Sequence, residues 1–347
     1  MSLYLTHPAW LSAEIIPGLP FRWYGLMYIF AFLAAYLLFI YQVKKNKLEI
    51  NKDTIINAFF WGIVGLLIGA RVFYMVFFDT TKALLRAPWI IIVPIDETGR
   101  FTGYQGMNWY GGVVGAVAGM VIYLRKKKQD ILEWADLLIA GVPLAHTFGR
   151  IGNFINGELY GRLTTAPWGM IFKETESYYD ANKKLAVGVP VSDPIVRQMA
   201  AADNIPIAPG QTHLALPRHP TQIYSMLFEC LLIWVIIWFI VRLRKPYKGF
   251  VLAFYVTAYG LVRFIIDYFR VPLRNEFLIT LVPQYSQPYL LMTPFNFSLD
   301  NLFSFAMMLA GIFLLIFFGK RARRGTLAPA DEPKSDLRKM KKKIDKE

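Results

Sequence analysis

The stretch WYGLMYIFAFLAAYLLFIYQVKKNK, residues 23–47, decides the fold: twenty-one residues without a charge, then three lysines within four positions. A bilayer core takes about 20 mainly apolar residues as one helix, and lysines at its end stay on the cytoplasmic side. Runs of the same kind recur near 54–78, 107–124, 132–155, 221–241, 250–270 and 298–318, which predicts an all-α polytopic membrane protein of about seven transmembrane helices. The run near 107–124 is the weakest, but Gly111, Gly115 and Gly119 fall four apart, as do Gly65 and Gly69 in the second, giving smooth faces for close helix packing.

Composition agrees with this reading. The chain of 347 residues is 55% hydrophobic and 16% aromatic, well above the usual soluble range. A formal net charge of +14 could suggest nucleic acid, yet the basic residues cluster in short loops, so no nucleic-acid partner is expected. Lys44, Lys45, Lys47 and Lys52 follow the first run; Arg125 to Lys128 the third; Arg242, Arg244, Lys245 and Lys248 the fifth; Lys320, Arg321, Arg323 and Arg324 the seventh. With seven spans all four clusters share one side, placing the N-terminus outside and the C-terminus in the cytoplasm. The single cysteine, Cys230, excludes a disulfide framework and a thiolate metal cluster. The first run lacks a basic n-region and a small-residue cleavage site, so it is not expected to be a removable signal peptide.

The predicted organisation is a transmembrane domain over 1–320, with an outer insertion near 157–219 rich in proline (Pro190, Pro194, Pro206, Pro209, Pro217), and a basic cytoplasmic tail over 321–347 expected to be disordered or to lie on anionic lipid heads. The insertion reads as a small extracytoplasmic subdomain. The apolar run Trp89 to Ile95 is too short to span and is expected at the interface.

Ionisable residues inside spans cost roughly 2.5–3.5 kcal/mol each on insertion scales, so those that persist pair internally or mark a functional path. Here they are Arg71, His146, Arg150, Glu229, Arg263 and Asp267. Arg263 and Asp267 lie four apart and can pair on one helix face. The cations nevertheless exceed the acids, and surplus guanidinium groups in a low-dielectric cavity call for an anion, most naturally a lipid phosphate. The densest polar stretch is HTFGRIGNFINGELYG, residues 146–161, at the outer end of the fourth run. Its glycines allow close backbone approach and positive φ, while Arg150, Asn153, Asn156 and Glu158 supply polar groups. From composition alone, a binding site and a simple helix stop, with Glu158 neutralising Arg162, are equally good readings.

GRIGNFINGELYG (149–161) resembles the signature of the prolipoprotein diacylglyceryl transferase family. Further pieces recur in family order: RWYGLMY (22–28), GARVFY (69–74), GMNWYGG (106–112), LPRHPTQIY (216–224) and YGLVRFIIDYFR (259–270). The resemblance implies transfer of the sn-1,2-diacylglyceryl group from phosphatidylglycerol to the lipobox cysteine thiol of a prolipoprotein, with glycerol 1-phosphate released. It places the chain in a bacterial inner membrane with the site toward the outer face, and it implies no cofactor and no metal. By motif position, Arg150 and Arg263 hold the headgroup phosphate. Asn153, Glu158, Gly161, Tyr24, Arg71, His219 and Tyr259 line the lipid and peptide site. Where the family carries a histidine before two glycines, this chain has Tyr110 before Gly111 and Gly112, so the thiol base is open among Tyr110, Glu158, His146 and His219. The competing functions are an organic-anion transporter, for which no inverted repeat is evident, and another phospholipid-headgroup transferase.

Overall fold

In the computed structural model the described residues are 4–8, 10–16, 21–77, 89, 109–172, 177–179, 185–187, 189–271, 279–281 and 294–326. Among them the helices are α1 (Trp23–Lys45), α2 (Lys52–Phe77), α3 (Trp109–Lys126), α4 (Ile131–Ile139), α5 (Val142–Ile155), α6 (Pro194–Ala202), α7 (Thr221–Val241), α8 (Phe250–Asp267) and α9 (Leu299–Arg323). Five of these, α1, α2, α7, α8 and α9, are each long and apolar enough to cross a membrane. Their large apolar side chains stand exposed, for instance Ile29, Leu33 and Leu37 on α1 and Phe303, Leu309, Phe313 and Ile316 on α9. A helix that is apolar all round needs hydrocarbon, not water, as its solvent. The chain is a multi-pass membrane protein.

The run near 132–155, expected as one helix, is two. The α4 and α5 axes meet at 47°, and together they make a sixth candidate span. Pro143 lies in the first turn of α5, and Gly141 caps it. Proline has no N–H to give to the carbonyl four residues back and its ring crowds that carbonyl, so the α4 ladder stops there. The run near 107–124 is the continuous helix α3, which falls short of the apolarity of the others.

Two compact units form, one of residues 1–39 with 136–331 and one of 40–135. Within the second, α2 packs on α3 through the glycine faces read from the sequence. A Cβ at Gly115 would strike the Gly65 carbonyl, and one at Gly69 would strike the Gly111 carbonyl. The first unit uses the same device where no spaced glycine pair signals it: Gly260 of α8 lies on Met308 and Ser304 of α9, and Gly311 of α9 lies on Thr257 of α8. The N-terminal amides of α8 are capped by a side chain from another helix. Asp136 of α4 accepts from Gly249 N at 2.9 Å and Leu252 N at 3.1 Å, with Lys245 Nζ at 3.7 Å.

Helix α7 contains two π-helical segments, Ser225–Leu232 and Ile237–Val241. The first carries Glu229 and Cys230, both fully buried. Between α5 and α7 the chain adds α6 and short strand pairs over a core that includes Leu163, Val189, Val196, Ala200, Leu214 and Leu216. Strands Leu5–Thr6 and Met170–Ile171 pair in parallel, and Val189–Pro190 pairs antiparallel with His213–Leu214. The apolar run after Trp89, residues 90–95, and the tail beyond 326 lie outside the described residues.

Candidate active site

The polar stretch at 146–161 begins on α5, the helix that carries Arg150. That side chain, 10% exposed, donates from Nη2 to Glu229 Oε2 at 3.0 Å. The other Glu229 oxygen accepts from Arg263 Nη1 of α8 at 3.1 Å. Arg263 Nη2 lies 2.7 Å from Asp267 Oδ1, and Asp267 Oδ2 accepts from Ser304 Oγ of α9 at 2.6 Å. One chain of charge-assisted contacts therefore ties α5, α7, α8 and α9 together.

The i,i+4 pair Arg263–Asp267 is as expected. In the chain of contacts itself two guanidinium groups meet two carboxylates, while Arg270 adds a third guanidinium within electrostatic reach of Arg150, Arg263, Glu229 and Asp267. Arg71, which completed the expected cation surplus, sits on α2 in the other unit. One donor in the cluster is nonetheless spare: Arg150 Nε is buried and has no hydrogen-bond partner among the described residues. A buried, unpaired guanidinium N–H is costly unless something it fits arrives there.

Beyond Ile155 the chain turns back on itself. Gly157 (φ 63°) and Leu159 (φ 58°) take left-handed conformations, which glycine adopts freely and leucine at a cost. Glu158 holds the turn: its N–H donates to the Asn153 carbonyl at 3.1 Å, and its Oε1 accepts from Asn153 Nδ2 at 2.9 Å and Asn156 Nδ2 at 3.3 Å. The alternative in which Glu158 neutralises Arg162 is therefore corrected. The Arg162 guanidinium donates from Nε to the Tyr268 carbonyl at 3.0 Å, at the end of α8.

Gly161 is where three segments meet. Its N–H donates to the His219 carbonyl at 2.8 Å, its carbonyl accepts from Arg218 Nη1 at 3.1 Å, and the next N–H, of Arg162, donates to the Phe269 carbonyl at 2.8 Å. A Cβ there would strike the Phe269 carbonyl and come within 2.7 Å of Thr221 Cγ2 and 2.8 Å of His219 Cβ. Gln222 Nε2 and Thr221 Oγ1, from the start of α7, clamp the Glu158 and Leu159 carbonyls at 2.7 and 2.8 Å. The motif LPRHPTQIY thus builds the support for the turn.

Of the other residues expected at the site, Tyr24 of α1 packs on Gly152, where a Cβ would come within 2.9 Å of its ring, and its hydroxyl lies 3.2 Å from that of Tyr28. Tyr259 stands one turn before Arg263, with its ring 6.1 Å from the His146 ring, itself one turn before Arg150. Arg150, Arg263, Tyr259, His146, Asn153, Glu158, Gly161, Tyr24 and His219 all belong to one compact unit, whereas Arg71 belongs to the other. Tyr110 opens α3, and its side chain lies outside the described residues.

His219 is held in a relay the sequence does not announce. Trp168 Nε1 donates to the Tyr224 hydroxyl at 2.7 Å, and that hydroxyl lies 3.0 Å from His219 Nδ1. If the Tyr224 hydroxyl donates its hydrogen to Nδ1, the His219 proton sits on Nε2; the opposite tautomer would donate from Nδ1 to the Tyr224 oxygen. Burial, reinforced by the nearby Arg162 charge, pushes this imidazole down to about 4. It is neutral at physiological pH and a weak base.

The folded value lies below the unfolded one, so acidification through about 6.5 to about 4 protonates the unfolded chain first, and stability falls across that window. His219→Gln is expected to lose less thermal stability than wild type between pH 7 and pH 5, read as the melting-temperature difference in detergent. An equal loss in both would contradict the assignment.

Glu229 as a bridge, Ser304, Trp168 and Tyr224 are the residues that sequence reasoning missed. An intramembrane acid signals Glu229, but nothing local says which arginine it meets.

The sequence model of the family described as prolipoprotein diacylglyceryl transferase matches residues 12–317. A Treponema denticola protein is 42% identical over 295 residues, covering 80% of this chain and 82% of its own length. A Treponema pallidum protein is 41% identical over 323 residues, covering 89% and 94% respectively. A Chlorobaculum tepidum protein is 34% identical over 310 residues, covering 88% and 89%. Each of the three bears the name phosphatidylglycerol–prolipoprotein diacylglyceryl transferase.

Proposed function

Because the chain belongs to the prolipoprotein diacylglyceryl transferase family, we propose that it moves the sn-1,2-diacylglyceryl group of phosphatidylglycerol onto the lipobox cysteine thiol of a prolipoprotein, the first step of lipoprotein maturation. The thiolate sulfur attacks the glycerol carbon that carries the phosphate ester. The C–O bond breaks, and the headgroup leaves as glycerol 1-phosphate. The phosphodiester carries one negative charge and the departing monoester approaches two, so groups that bind the added charge lower the barrier.

The observation that carries this reading is the pairing of Arg150 and Arg263 on one carboxylate, 3.0 and 3.1 Å from its two oxygens, with Arg150 Nε buried and unpaired beside them. Two guanidinium groups spaced to share one small oxyanion suit the oxygens of a phosphate. Arg150 and Arg263 bind the headgroup phosphate and stabilise its leaving. Asn153, Glu158 and Gly161 shape the turn against which the headgroup lies, while Tyr24, Tyr259 and His219 line the lipid and peptide paths; for Arg71 a lipid-binding role is supported by motif position alone. A cysteine thiol near pKa 8.5 must lose its proton, and the acceptor is Glu158 or Tyr110. His219, neutral at physiological pH, orients the substrate.

The sixth candidate span and α3 bring the number of crossings to seven. The basic ends of α1, α3, α7 and α9 then face the cytoplasm, and the turn at 157–161 and the folded insertion after it face outward in a bacterial inner membrane. Phosphatidylglycerol enters from the bilayer and the lipobox peptide from the outer face.

The test is purified protein in vesicles of phosphatidylglycerol with a synthetic lipobox peptide. A thioether-linked diacylglyceryl peptide is expected. No such product, with a peptide that a known family member modifies in parallel, would overturn the function.

A further inference from the structure

Glu229 has no part in the chemistry just described, yet it touches both groups that do. It is fully buried on the π-helical segment Ser225–Leu232 of α7, and each of its oxygens is held by a different arginine, from α5 and from α8. Arg263 also keeps Asp267, at 2.7 Å, and Asp267 keeps Ser304, at 2.6 Å. Arg150 has no carboxylate besides Glu229 among the contacts described. The pair that meets the substrate is thus neutralised before the substrate arrives, and the neutralising group lies between its members.

A merely structural counter-charge would serve equally well on the far side of either arginine, as Asp267 does for Arg263. A carboxylate placed between the two instead occupies Arg150 Nη2 and Arg263 Nη1, the donors that a phosphate oxygen would also seek. Resting on the functional reading above, we infer that Glu229 is a positioning residue that fixes the spacing of the two arginines and also competes with the phosphate for them, which drives the doubly charged product out. The phosphodiester of the lipid, with one charge, shares the guanidinium groups with Glu229. The monoester product, with two, repels the Glu229 carboxylate at close range. Removing that negative charge makes the cluster more positive by one unit and favours the product most.

The test measures binding as well as turnover, so that it does not depend on the transfer reaction. The full-length protein and its Glu229→Gln variant, each in detergent micelles with thermal unfolding verified, are titrated calorimetrically with sn-glycerol 1-phosphate, and with inorganic phosphate as a second anion. Gln keeps the shape and one acceptor oxygen but not the charge. Its affinity for sn-glycerol 1-phosphate is expected to rise by about tenfold or more, between the several-fold effect of one unit charge at about 4 Å in bulk water and the roughly thousandfold effect at an effective dielectric of about 20. In the transfer assay, kcat is expected to fall while the KM for phosphatidylglycerol falls or stays level, and added sn-glycerol 1-phosphate inhibits more strongly than in wild type.

Unchanged or weaker product binding by Glu229→Gln would overturn the inference, and so would a loss of kcat with a rise in KM alone. If Glu229→Gln does not fold, Glu229→Asp decides. It keeps the charge on a shorter arm, so KM should rise while product affinity stays at or below the wild-type value, and a tighter grip on product would overturn the inference. Wild-type protein that binds sn-glycerol 1-phosphate but makes no lipopeptide would count against the transferase reading, while tighter binding by Glu229→Gln would still support competition of Glu229 with a phosphate for the two arginines.

Discussion

Arg150→Ala is expected to reduce kcat/KM for diacylglyceryl transfer by about two to three orders of magnitude, the usual cost of removing one preorganised charge-stabilising group. The loss has two parts. The developing phosphate charge is left with Arg263 alone, and Glu229 is left with one cation instead of two, its Oε2 no longer paired. Breaking a buried ion pair from one side typically costs about 3–5 kcal/mol, so stability should fall as well, and activity must be read per folded molecule. Arg150→Lys separates the two. It restores the charge but not the planar fork, so Nε has no counterpart. It should recover much of the stability and little of the rate. The measurement is initial rate against phosphatidylglycerol for both variants, normalised by the melting transition. Transfer by Arg150→Ala within a few-fold of wild type would remove Arg150 from the phosphate site.

Gly161→Ala should be nearly as damaging although it removes no charge and no hydrogen-bonding group. The new methyl would meet the Phe269 carbonyl, and that carbonyl cannot retreat without stretching its 2.8 Å bond from Arg162 N. Nor can residue 161 move the other way, because its own N–H is fixed 2.8 Å from the His219 carbonyl. Overpacking of this kind typically costs about 1–3 kcal/mol. The displacement passes to Glu158 three residues before it and to the end of α8 that follows Arg263, and misplacement of a binding group by about 1 Å can cost about 10²-fold in rate. Thermal unfolding together with transfer rate is the readout. A variant equal to wild type in both would show that the three segments at Gly161 are not held as described.

Much of the membrane architecture was legible because hydrocarbon imposes a coarse rule. The runs read as 23–43, 221–241 and 250–270 are the helices Trp23–Lys45, Thr221–Val241 and Phe250–Asp267. Their ends agree within a few residues, since the apolar length and the flanking lysines are written in sequence order. The bend at Pro143 was not read from the run over 132–155. Proline inside an apolar run is compatible with one kinked span or two pieces, and the choice depends on what surrounds it.

The site was legible as a set of residues and not as a set of partners. Arg263 and Asp267 could be paired in advance because four positions on a helix bring them together. Arg150 and Glu229 are 79 residues apart on different helices, and no periodicity connects them. For the same reason the charge count could not say where each charge sits: Arg71 belongs to the other compact unit, and Glu229 bridges Arg150 and Arg263. Glu158 was recognised as polar and placed in the right turn, but its partners are the amides of Asn153 and Asn156 and not Arg162. The relay from Trp168 through Tyr224 to His219 spans loops with no spacing rule at all.

In the proposed reaction, sulfur displaces the phosphate at carbon and the phosphate departs into the grip of Arg150 and Arg263. Phosphatidylglycerol labelled with phosphorus-32 tests it directly when the protein is given a lipobox peptide. The label is expected to appear in water-soluble glycerol phosphate, one for each peptide modified, with none on the peptide. Label recovered on the peptide, or peptide modified without release of glycerol phosphate, would contradict it.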